Sequence, residues 1–192
     1  GYYGVNESLP AEERTQDTLA LASWESSQAS NPASASLMLR QFEDDYKLVL
    51  PTSLFRNQHK NRQAAGQVSK VFSLQEGIRL NSRIASDIED IDSNALGDFS
   101  RSRLAVTLLP EMDLGDAMLL TAGVRAEVLE SFQDQWLPQV RLDLFASEEV
   151  SFFAEYSASA RRPSYTELNY ESPGSLGNSG LDIQNQDAVE GG

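Results

Sequence analysis

The stretch Phe152-Phe-Ala-Glu-Tyr-Ser-Ala-Ser-Ala-Arg-Arg-Pro-Ser-Tyr-Thr-Glu-Leu168 decides the fold. Its first half alternates. Phe152, Ala154, Tyr156, Ala158 and Ala160 are apolar or small, while Glu155, Ser157, Ser159 and Arg161 are polar. A period of two puts unlike residues on opposite sides of an extended chain, so this is a β-strand with one greasy and one wet face. It runs for about ten residues, the length of a membrane-crossing strand, and breaks at Pro163 into a loop containing Gly177-Asn-Ser-Gly-Leu181.

The same alternation recurs on either side. It predicts strands over 18–25, 34–43, 66–74, 77–86, 101–109, 117–128, 139–147 and 150–160, with a ninth starting near 187. Short connections are expected at Ser26–Ala33, Gln75–Gly77, Pro110–Asp116 and Ser147–Glu149, and longer polar ones over 44–65, 87–100, 129–138 and 161–186. Short and long connections therefore take turns down the chain. An up-and-down membrane barrel has this asymmetry, whereas a sandwich mixes its turn lengths and crosses between sheets.

The faces sort as well. Met118, Leu120, Ala122, Val124, Ala126 and Val128 alternate with Thr121, Gly123, Arg125 and Glu127, and Val140, Leu142 and Leu144 alternate with Arg141 and Asp143. A charge facing lipid at the bilayer midplane costs roughly 2–4 kcal/mol. Arg79, Arg83, Arg125 and Arg141 are therefore expected on the inward face, meeting Glu127, Asp143 and Glu155. Lys70 and Gln41 fit the greasy face poorly.

Composition narrows the function. A net charge of −14 argues against a nucleic-acid partner, which requires clustered Lys and Arg. The absence of cysteine excludes disulfides and thiolate metal sites. No run of 18 apolar residues exists, which speaks against a spanning helix and leaves a barrel open. Gly1-Tyr-Tyr-Gly-Val-Asn6 reads as mid-protein sequence, not as a signal peptide, and Glu190-Gly-Gly192 as the start of a strand.

The wording of the later strands resembles that of TonB-dependent outer-membrane receptors. Leu119-Leu-Thr-Ala-Gly-Val-Arg125 looks like the family's strand ending in Ala-Gly-x-Arg, and Pro138-Gln-Val-Arg-Leu-Asp-Leu144 like the Pro-led strand after it. Phe152 to Leu168, Gly177 to Leu181 and Glu190-Gly-Gly192 complete the series, with Ser179 where the family usually has Pro. The resemblance implies an all-β, antiparallel up-and-down transmembrane barrel segment, about 8–9 strands of a 22-stranded barrel whose lumen is plugged. It implies that residues 1–192 are part of that barrel, with plug domain and C-terminal strands outside them. It further implies location in the bacterial outer membrane, energised uptake of a ferric siderophore, cobalamin or similar chelate or oligosaccharide, and partnership with the TonB complex through the plug. No catalysis and no cofactor follow from it. Two alternatives remain open: another outer-membrane channel or porin, and a soluble all-β carbohydrate-binding module.

Candidate chemistry is sparse, and no catalytic, cofactor-binding or metal residue is assigned. In Asp87-Ile-Glu-Asp-Ile-Asp-Ser-Asn-Ala-Leu-Gly-Asp98, Asp90, Asp92 and Asn94 have the first spacings of a calcium loop. Ala95 and Arg101 then stand where Gly and the bidentate Glu belong, so a solvated acidic loop is expected. Glu43-Asp44-Asp45 reads as a strand end entering a loop, and His59, the one histidine, as a solvated loop residue. Gly174-Ser-Leu-Gly-Asn-Ser-Gly180 lacks the Lys of a phosphate loop and reads as a turn. Trp24, Trp136, Tyr156, Tyr165 and Tyr170 are expected at membrane interfaces or in packing.

Overall fold

Strand alternation dominates the computed structural model, which describes residues 10–26, 28, 31–172 and 175–192. Gly1–Leu9, Ser27, Ala29 and Ser30 of the first short connection, and Gly174 of the glycine-rich loop lie outside these residues. Nine strands form one antiparallel sheet in chain order: β1 (Ala11–Glu25), β2 (Ala33–Val49), β3 (Leu54–Gln75), β4 (Ile78–Ser93), β5 (Phe99–Asp113), β6 (Met118–Leu129), β7 (Gln135–Phe145), β8 (Ser151–Arg161) and, at the far edge, β11 (Gln184–Gly191). The long connection before β11 holds one helical turn, α1 (Tyr165–Asn169), and a two-residue pair, β9 (Glu171–Ser172) with β10 (Ser175–Leu176). β1 to β8 each pair with the next strand and β11 follows β8 past the small β9–β10 pair, so the nine-stranded sheet is a meander with no Greek-key crossing, and the sandwich alternative fails on topology.

Every expected strand is present, and β1 to β4 each run six or more residues past a predicted end. Residues 44–49 and 54–65 belong to β2 and β3, joined by a tight connection at 50–53. Asp87–Ser93 belongs to β4, leaving 94–98 as the turn, and the β6–β7 connection shrinks to 130–134. Pro110 sits within β5, where its missing N–H coincides with a gap in the β5–β6 ladder. The short turns close on glycines whose φ is +70° at Gly77 and +80° at Gly115, a region closed to most side chains.

The two faces differ as the pattern demands. One carries Leu37, Val68, Ile84, Leu108, Val128 and Val140, all exposed. The other carries Arg79, Arg83, Arg125 and Arg141 with their facing carboxylates and curls inward: residues from β1 through β8 line a single cavity of about 710 Å³ on it. We call these the convex and concave faces. The sheet is not closed, and its free edges are β1 and β11. Trp24 and Trp136 stand on the convex face, 58% and 72% exposed, near the short-turn end of β1 and the long-loop end of β7 respectively, as interface aromatics do.

The two misfits resolve. Lys70 lies on the convex face, directed along the strand so that its Nζ sits 5.0 Å from the Phe72 ring toward the short-turn end. Gln41 marks where the apolar stretch of β2 ends, and its amide donates to Glu43 at 2.9 Å.

Candidate functional site: the concave wall and its folded-back segment

The inward arginines meet carboxylates across the strands. Arg141 reaches Asp143 at 2.7 Å and Glu155 at 3.1 Å, and Arg79 reaches Glu111 at 3.1 Å. Arg125 pairs with Glu127, which also accepts Arg103 at 3.5 Å. Arg83 alone of the four expected inward arginines has no ion pair among the described residues. The Gly123 that precedes Arg125 by two positions lets β5 and β6 approach: a Cβ built there runs into the Leu108 carbonyl oxygen.

Toward the long-loop end this wall is covered by the segment after β8. Arg162 crosses to Asp87 at 2.9 Å, and Arg103 donates to the same carboxylate at 2.6 Å. Arg101 pairs with Glu89 at 2.7 Å and donates to the Pro163 carbonyl at 2.7 Å. The Tyr165 hydroxyl donates to the Glu89 carbonyl at 3.0 Å, its ring stacks on Phe99 at 5.9 Å, and the Arg101 guanidinium lies 4.3 Å from its centroid. Asp87 and Glu127 are only 4% and 5% exposed, so each buried carboxylate is matched by two guanidiniums. Burial pushes the Tyr165 phenol up to about 12, with Arg101 drawing it the other way.

The segment is held in shape by a capping box. Ser164 Oγ accepts from the Glu167 amide at 3.2 Å, and Glu167 accepts from the Ser164 amide at 2.7 Å. The Arg161 guanidinium, 2.9 Å away, and these Ser164 hydrogen bonds hold the Glu167 carboxyl down to about 2. Of the two places expected for it, an interface or packing, Tyr165 takes the second as a buried clamp, and Tyr170 packs against the small cluster of Ile91, Leu96 and Tyr165. Beside the clamp a hollow of about 630 Å³ opens between Phe99, Arg101, Phe132, Tyr165 and Leu181.

The sequence-expected acidic candidates disperse. Because Asp87–Ser93 is strand, its side chains alternate: Asp87 and Glu89 face the concave wall, Asp90 and Asp92 the convex side opposite Arg62 and Lys60. Asn94 spends its amide on β3, accepting from the Gln58 N–H at 2.8 Å and donating to the Arg56 carbonyl at 2.8 Å. Asp90, Asp92 and Asn94 thus belong to a strand and the turn after it, not to one loop, and no group of three or more His, Asp or Glu comes together among the described residues. Glu43-Asp44-Asp45 lies inside β2, where Glu43 pairs with Lys60 and Asp45 with Arg56, each at 2.7 Å. His59 is a half-buried β3 residue with Nδ1 2.7 Å from Ser93 Oγ. Of the glycine-rich stretch, Ser175 and Leu176 pair with β9, and the described remainder turns back toward α1 through the Gly177 N–H to Tyr170 and the Asn178 N–H to Glu167.

The profile of the TonB-dependent receptor-like β-barrel family matches residues 7–192. The chain belongs to this family. None of the curated proteins matches it. Solved structures do. A mutant of the ferric enterobactin receptor PfeA from Pseudomonas aeruginosa gives a TM-score of 0.73 at 14% identity, over 90% of this chain and 31% of that one. The siderophore receptor PirA from Acinetobacter baumannii gives 0.72 at 7% identity, over 92% and 32%. PirA from Pseudomonas aeruginosa gives 0.62 at 14%, over 92% and 41%. At such identities the likeness carries the fold alone, and this chain spans between 31% and 41% of the length of these receptors. The extended ends of β2 and β3 and the segment 162–183 lie at one end of the sheet, and the connections 26–32, 76–77, 114–117 and 146–150 at the other.

The sorted strands were readable from sequence; the clamp was not. Ser164-Tyr-Thr-Glu167 carries a capping-box spacing that could have announced α1. Nothing local in the sequence joins Arg162 to Asp87, 75 residues apart.

Proposed function

We propose that this chain is part of the barrel of a bacterial outer-membrane receptor that takes up a scarce nutrient by energised transport, with a ferric siderophore as the first candidate. The carrying observation is the division of faces: an exposed apolar convex surface with a Trp near either end, against a concave wall of ion-paired arginines. The names of its structural neighbours, receptors for ferric enterobactin and siderophores, support the ligand class. On this reading the lumen-filling plug, the TonB-contacting segment and the remaining strands belong to the rest of the receptor. The hollow beside the clamp, lined by Phe99, Phe132 and Leu181, offers apolar and aromatic surface to a ligand at the mouth.

A plug-free channel shares the division of faces but not the energy requirement. Cells carrying the intact receptor should accumulate ferric enterobactin only when TonB is present; uptake that is indifferent to TonB overturns the reading in favour of a channel. Spin labels at Leu120, Val124 and Leu142 in the intact receptor should report an oxygen-rich, water-poor setting, and bulk-water accessibility at all three removes the membrane assignment.

A further inference from the structure

The concave cavity has an ordered lining. Ser34, Ser69, Arg83, Thr107 and Arg125 stand opposite one another on successive strands from β2 to β6, and all five line it. Neighbouring strands lie about 4.8 Å apart, so Arg83 and Arg125 leave the sheet roughly 10 Å apart, within reach of one group through their long arms. Thr107 lies between them and Ser69 beside Arg83; the Ser69 and Ser34 hydroxyls are 2.7 Å apart. The row is therefore two guanidiniums with hydroxyls interleaved.

Its charge is not balanced from within. The other arginines of this face, from Arg40 on β2 to Arg161 on β8, each hold a carboxylate. Arg83 holds none among the described residues and is exposed to the cavity. Beside it, Arg162, Arg103 and Arg125 share only two carboxylates, Asp87 and Glu127. Three cations against two anions leave one positive charge, and Arg83 adds a second. Arg125 Nε is shielded and has no hydrogen-bond partner. Glu25, the one acid in the row, stands at its far end, three strands from Arg83. In a chain of net charge −14, uncompensated cations thus collect where the cavity is.

We propose that Arg83 and Arg125, with the Ser69 and Thr107 hydroxyls, form a binding site for an oxyanion of the carboxylate class. Guanidinium forks hold such groups by paired, charge-assisted hydrogen bonds, and the hydroxyls take the remaining lone pairs. The proposal rests on the receptor reading, in which this face lines the lumen. The carboxylate comes either from the part of the receptor that fills the lumen or from a mobile solute, and both present the same chemistry.

Arg83 makes no ion pair in the wall, so replacing it removes no such contact from the barrel itself. The test uses the intact receptor in detergent, with citrate as the probe, in wild type, Arg83→Gln and Arg83→Glu. A mobile source predicts citrate binding that weakens about tenfold or more in Arg83→Gln, the effect of one lost charge-assisted hydrogen bond, with Tm unchanged. A source within the receptor predicts no citrate binding and a Tm that falls in Arg83→Glu by more than in Arg83→Gln, the difference fading at high salt. If citrate affinity and Tm are the same in all three proteins, the site does not exist. TonB-dependent uptake that survives such a result leaves the receptor reading standing, whereas TonB-independent uptake by wild type removes that reading whatever Arg83 does.

Discussion

The β2–β3 hairpin and the β4–β6 wall both carry ladders of paired charge, but in different settings. On the hairpin, Asp45–Arg56 and Glu43–Lys60 pair across the convex side beyond the apolar stretch, where water reaches all four side chains. On the wall, Asp87 and Glu127 are almost fully buried beneath Arg103, Arg125 and Arg162. Exposed pairs contribute little because water already solvates both partners, whereas a buried pair that loses one member leaves an uncompensated charge. The same residue types therefore decorate one region and organise the other.

Removing the shared carboxylate should have the largest effect. Asp87→Ala strands Arg162, leaves Arg103 only its longer contact with Glu127, and should destabilise the barrel by about 3–5 kcal/mol. Hydrogen exchange should show residues 165–168 losing protection first, since Arg162 ties the segment down. Asp45→Ala, the hairpin counterpart, should leave the urea midpoint unmoved. Equal losses at the two sites break the distinction.

Lipid exposure gives the next contrast. Val140 is convex and central in β7, so Val140→Arg should cost roughly 2–4 kcal/mol in vesicles. Gln41→Arg, on the same face of β2 but past its apolar stretch, should be near neutral. Folding yield into vesicles, read by the heat-dependent gel shift of folded barrels, measures both. Backbone proximity comes third. Gly123→Ala drives a Cβ into the Leu108 carbonyl and should cost about 1–3 kcal/mol through separation of β5 and β6. A Gly123→Ala barrel as stable as wild type shows that the ladder gap beside Pro110 absorbs the methyl.

This contrast also sets how much was legible in the sequence. In β6 and β7 lipid forces strict alternation, so Leu120, Val124 and Leu142 could be placed on one face and Arg125 and Arg141 on the other from the sequence alone. Past the apolar stretch, both sides of a strand meet water. Residues 44–49, 54–65 and 87–93 then carry charged or polar side chains on both faces among their apolar ones, which reads as loop although backbone pairing continues. Leu19 and Leu21 show the opposite failure: they share a face with Arg40 and Met38, so large apolar residues also stand on the concave side. The site was half legible. Arg125–Glu127 and Arg141–Glu155 follow from facing and register, while the Asp87–Arg162 tie depends on a loop folding back across four strands.

The smallest expected effect tests whether that fold-back depends on its own local structure. Ser164→Ala removes the N-cap acceptor of α1 and should cost about 1 kcal/mol. The reciprocal half of the box is Glu167, held to about 2 by Arg161 and Ser164 against an ordinary value of 4.5. A carboxyl whose folded-state pKa is depressed stabilises fully above its ordinary value and loses that contribution as pH falls toward the folded one. Local protection at residues 164–168 should thus hold at pH 6 and decline between about pH 4.5 and pH 2. The decline should be smaller in Glu167→Gln, which has no proton to gain there. Because Arg162, Pro163 and Tyr165 hold the segment to the wall independently, protection should fall without the clamp releasing, which exchange at the Tyr165 amide against exchange in β4 would register. If instead β4 exchanges in step with residue 165, the capping box and the buried ion pairs form one cooperative unit, and the segment is as much a part of the wall as β4 itself.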